Sequence, residues 1–72
     1  MNTQLFTAVL HKEENWYVAE CPDVGTVSQG ETIETALVNL KEATELYLEE
    51  FPLKKTVPMF LTTFEAEYVE TA

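Results

Sequence analysis

Two side chains in this 72-residue sequence could make a nucleophile and its base, and each occurs once: Cys21 and His11. Activated thiol chemistry needs the pair within hydrogen-bond reach. Cys21 closes an apolar run, as a small buried hydrophobe does, and His11 sits beside a polar turn, so no catalytic role is expected of either. One histidine and one cysteine also make a poor zinc set. Carboxylates are plentiful, and Glu20, Asp23 and Glu31 fall close to one loop region where Mg²⁺ or acid–base chemistry could be placed. Thirteen acidic residues in so short a chain make such neighbours cheap. No glycine-rich phosphate loop is present, because Gly25 and Gly30 are the only glycines. The expectation is a protein that is not an enzyme, with no metal and no cofactor.

The more informative carboxylates lie on a helix. Residues 31–51 repeat apolar positions at three- and four-residue steps: Ile33, Ala36, Leu37, Leu40, Ala43, Thr44, Tyr47, Leu48 and Phe51. At about 100° per residue they form one stripe, as in a helix laid on a core. Thr32 is a good N-cap, Thr35 stands where a capping-box acid would be, and Pro52 stops the helix. Glu34, Glu42, Glu45 and Glu49 share an arc of about 80° away from the stripe. Val38 and Leu46 sit off the stripe and mark a contact surface. Glu49 and Glu50 at the C-terminal end oppose the helix dipole. A basic partner would explain that cost, and a solvated face is the plainer alternative.

The flanks of the helix read as strands. Residues 3–11 form a first strand, 12–15 a hairpin loop, 16–21 a second strand, 22–25 a turn and 26–29 a short third strand. Lys54 and Lys55 form a polar link, and residues 57–69 alternate as a last strand whose start at Pro58 lies on an edge. The order is β-β-β-α-β, an α+β fold with one helix on a small mixed sheet, the last strand returning by a right-handed crossover. Phe6, Trp16, Phe60 and Phe64 cannot all fit beneath one helix, so an apolar surface is expected to face a second copy of the chain.

Composition narrows the partners. The formal net charge is −9, and the four basic residues are all lysines. Direct binding to nucleic acid or to an anionic membrane is not expected, because both need basic side chains to replace counterions. No leader peptide or apolar run of roughly 20 residues is visible, so a cytoplasmic protein is expected. With one cysteine no intrachain disulfide can form, and a core this small holds only about 3–5 kcal/mol. A homodimer or higher homo-oligomer is the expected supplement.

The run Trp16-Tyr17-Val18-Ala19-Glu20-Cys21-Pro22-Asp23, then residues 27–37 (Val-Ser-Gln-Gly-Glu-Thr-Ile-Glu-Thr-Ala-Leu) and Asn39-Leu40-Lys41-Glu42-Ala43, closely resembles the HicB-like antitoxin domain. The resemblance runs from about Phe6 to Phe51 and implies a single domain over 1–72 with a partly reduced RNase H-like fold. It also implies a function: binding and blocking HicA, a small basic mRNA-cleaving toxin of a toxin–antitoxin system. Glu42, Glu45 and Glu49, with Glu31 and Asp23, are the expected partner-binding residues. Such antitoxins usually carry a C-terminal DNA-binding region. Here the sequence stops at Ala72, so operator binding is not expected. The turn after Asp23 is also shorter than in many relatives. The alternatives are an orphan protein-binding module with no toxin, or a remnant RNase H-like nuclease using Glu20, Asp23 or Glu31.

Overall fold

The helix packs most heavily against the strand before it. The computed structural model describes residues 3–53 and 59–70. Its elements are β1 (Val9–Glu13), β2 (Trp16–Cys21), β3 (Thr26–Gly30) and α1 (Ile33–Glu50). The strands form an antiparallel meander in the order β1-β2-β3. The α+β class with one helix on a small sheet is therefore observed.

Helix α1 begins and ends where local chemistry dictates. The Thr32 hydroxyl accepts from the Thr35 backbone N–H at 3.0 Å and donates to the Thr35 hydroxyl at 2.9 Å. Thr35 thus takes part in the cap although it is not a capping-box acid. At the other end the Phe51 N–H donates to the Tyr47 carbonyl at 2.9 Å, and Phe51 itself has extended backbone. Pro52 forces that conformation on the residue before it.

The register assigns the two sheet faces. Leu10 faces Ala19, and Cys21 faces Thr26, so residues 10, 17, 19, 21, 26 and 28 point toward the helix. Val9, His11, Trp16, Val18, Glu20 and Val27 take the opposite, open face. The buried core is small: Ala19 and Cys21 from β2 against Ala36 and Leu40 from α1, with Phe6, Ala8, Leu10, Tyr17 and Val24 packed around it. Of the expected apolar stripe, Ala36, Leu40 and Thr44 are buried, whereas Ile33, Leu37, Tyr47 and Phe51 remain exposed.

Two polar ties hold the helix to β3. Thr26 and Thr44 share a hydroxyl–hydroxyl bond of 2.7 Å, and Asn39 Nδ2 donates to the Gln29 carbonyl at 2.8 Å. Gly30 closes the approach: a Cβ there would stand 2.6 Å from the Ala36 backbone nitrogen. Only glycine fits at that crossing.

Three sequence expectations are corrected. The first strand starts at Val9 rather than at residue 3, because β2 ends at Cys21. Continuing the register would set Thr7 opposite Pro22, which has no N–H to give. The hairpin loop contracts to two residues, with Glu14 at φ 52°. Among the described residues, 59–70 pair with no strand, so the described sheet is antiparallel rather than mixed and the described order is β-β-β-α. Alternation makes that segment suited to a strand, but a strand forms only where an edge receives it. The expected link at Lys54 and Lys55 and the strand start at residues 57–58 lie outside the described residues.

Candidate functional site

The solvent side of α1 carries the acidic surface. Taking 100° per residue, the centre of Glu34, Glu42, Glu45 and Glu49 lies about 160° from that of the buried Ala36, Leu40 and Thr44. All four carboxylates are exposed. Val38 falls in the middle of the same arc and is 62% exposed, and Leu46 at its margin is 58% exposed. Glu34 and Glu42 flank Val38 one turn to either side, and Lys41 neighbours it. Lys41 lies at one side of the arc, and on the sheet His11 Nε2 stands 3.6 Å from Glu13 Oε2.

The other two expected partner-binding residues lie outside the helix. Glu31 precedes the helix at the end of β3, and Asp23 lies in the turn before β3 begins. Five extended residues separate them, about 17 Å of strand. Asp23 is half-buried, and its Oδ1 is buried without a hydrogen-bond partner. The turn around it is held by the Cys21 carbonyl, which accepts from Val24 at 3.3 Å and from Gly25 at 2.7 Å.

The catalytic constellations come apart for geometric reasons. Glu20 points to the open face of β2, Asp23 occupies one end of β3, and Glu31 the other. Among the described residues no three His, Cys, Asp or Glu side chains converge as a metal site. His11 and Cys21 face opposite sides of the sheet by the pleat, and Cys21 is buried. They cannot exchange a proton without a break in the strands.

A second feature gave no sequence signal. A groove of about 390 Å³ lies between α1 and the segment leading into β1; Phe6, Ala8, Leu37, Leu40 and Leu48 form its apolar lining, and Thr3, Gln4, Thr7 and Lys41 are among its polar residues. It exists because the helix lies over β3 and β2 and leaves the β1 side of the sheet uncovered. Glu45 stands at its rim, between the groove and the acidic arc. Periodicity could not reveal it, since Leu37 and Leu48 read as ordinary core positions. No helix among the described residues is long and apolar enough to cross a membrane.

Fold and surface together define a small α+β module that displays an acidic helix face and no catalytic cluster among the described residues. The chain belongs to the UPF0150 family. It is 40% identical to a UPF0150 protein of Synechocystis over 58 residues, covering 78% of this chain and 84% of that one. It is 56% identical to a UPF0150 protein of Helicobacter pylori over 45 residues, 61% of this chain and 62% of the relative, so the match spans less than two thirds of that protein's length. Neither name states an activity, ligand or partner. No family model and no solved structure matches the chain.

Proposed function

We propose that this protein is a HicB-like antitoxin, a cytoplasmic protein that binds and neutralises a small basic HicA-type mRNA-cleaving toxin. The resemblance of residues 16–43 to the HicB-like domain supports the class, and the acidic arc on α1 supports the mode. The observation that carries the reading is Val38, exposed between Glu34 and Glu42 on the arc that also holds Glu45 and Glu49. An interface gains from an apolar centre with a polar rim. The net charge of −9 speeds the encounter with a basic partner and covers the surface that partner uses for RNA. Glu42, Glu45 and Glu49 form the contact. Glu31, exposed just before the helix, extends that surface, and Asp23 lies at the far end of β3.

The test is co-expression with an adjacent small basic reading frame, followed by affinity measurement. The expected result is a stable heterocomplex that restores growth, and Glu42→Lys, Glu45→Lys and Glu49→Lys together weaken it by at least about 100-fold, since like charges brought face to face cost several kcal/mol. Unchanged affinity of the triple variant removes the helix face from the account. A neighbour that neither binds nor is toxic leaves the orphan module as the working function.

A further inference from the structure

We propose that residues 59–70 of one copy dock along the free edge of β1 in a second copy, with their aromatic side chains in the groove beside α1, and that the exchange is reciprocal. This inference is independent of the antitoxin reading and needs no toxin.

The segment has the character of a strand without a sheet. Phe60, Thr62, Phe64, Ala66 and Tyr68 alternate with Leu61, Thr63, Glu65, Glu67 and Val69. One face is therefore aromatic and the other largely polar and acidic. In the single chain Phe60 is 90% exposed, Phe64 87% and Tyr68 83%. None of residues 59–70 lines the groove. Nor does any of their backbone groups bond to the folded body among the described residues. The radius of gyration is 15.2 Å, against about 11 Å for a compact chain of this length.

The groove has the complementary character. Its apolar walls are Phe6 and Ala8, in the segment leading into β1, and Leu37, Leu40 and Leu48 on the helix, and β1 itself is an edge strand of the sheet. An exposed edge is a ready template for another strand. Docked there, Phe60, Phe64 and Tyr68 enter the groove while Glu65 and Glu67 stay in water.

In the single chain the segment leaves its own groove empty, and this favours a second copy as the occupant. Helix α1 runs antiparallel to β3 and hence to β1, as the Thr26–Thr44 and Gln29–Asn39 bonds require. Docking parallel to its own β1 would require the chain to reverse between Glu50 and residue 59. Phe51 is instead extended, with φ −121° and ψ 91°, and Pro52 has a fixed φ. Three aromatics per tail, at about 150–250 Å² each, give two exchanged tails most of the roughly 1,200–2,000 Å² that a stable interface buries.

The test uses the full chain. Light scattering after size exclusion is expected to give twice the 8.2 kDa chain mass. Phe64→Asp, and separately Leu37→Asp on the groove wall, are expected to return the monomer mass with unchanged helical circular dichroism, a weakening of at least about tenfold in dimer affinity. Isotope-filtered NMR on a mixture of labelled and unlabelled chains then locates the tail. Contacts from the Phe64 ring to Leu40 and Leu48 methyls between copies are the expected result. The same contacts within one copy, a wild type that is monomeric, or a dimer untouched by Phe64→Asp would each overturn the proposal.

Discussion

The two flanks of the helix differ in how much the sequence leaves for a partner to do. On the β3 flank, Thr44 and Asn39 bond to the strand, and Gly30 lets the backbones approach so closely that a methyl group does not fit. On the β1 flank, Leu37 and Leu48 face an open groove and no polar tie to the strand is present among the described residues. The first flank is complete within one chain. The second has apolar walls of its own, while the chain keeps twelve strand-suited residues outside. A core limited to Ala19, Cys21, Ala36 and Leu40 follows from that division, and so does a stabilisation that depends on assembly.

Changes on the closed flank should have the larger effects on the isolated fold. Gly30→Ala forces a Cβ against the Ala36 backbone, a collision no side-chain rotation relieves. Overpacking of this kind costs roughly 1–3 kcal/mol. In a domain holding about 3–5 kcal/mol, chemical denaturation of the variant should show most of the stability gone. Thr44→Val keeps the shape but leaves the Thr26 hydroxyl unpaired in a partly buried place. The expected loss is about 1 kcal/mol, read as a lower denaturation midpoint with unchanged slope. Phe64→Asp stands at the opposite end of the scale. Its side chain is exposed in the single chain, so at concentrations where the wild type is monomeric its stability should change by less than about 0.5 kcal/mol. A large loss there would mean that the tail already packs on its own body.

The closed flank is also the part that the sequence made legible. Apolar spacing located the helix, and Thr32 and Pro52 placed its ends within a residue or two. The acidic arc followed from the same 100° step, which is why Glu42, Glu45 and Glu49 fall together as expected. Asp23 and Glu31 were legible only as neighbours in sequence. The extended residues between them turn that nearness into separation, which also disperses the Glu20, Asp23 and Glu31 set. The open flank was harder to read because strand pairing is not a local property. Residues 3–8 have β-forming side chains, but Pro22 ends the ladder that would receive them. Residues 59–69 alternate well, yet nothing in their own pattern says which edge they join, or whether that edge belongs to the same copy.

Amide hydrogen exchange at low and high protein concentration tests the central contrast most directly. Protection of β2, β3 and the buried turns of α1 should be present at both concentrations, while residues 59–70 exchange freely when dilute and become protected as the dimer forms. Equal protection of residues 59–70 at every concentration would place the tail in its own groove, and free exchange at every concentration would leave it without a docking partner. Either result would contradict the account of a fold completed by its second copy.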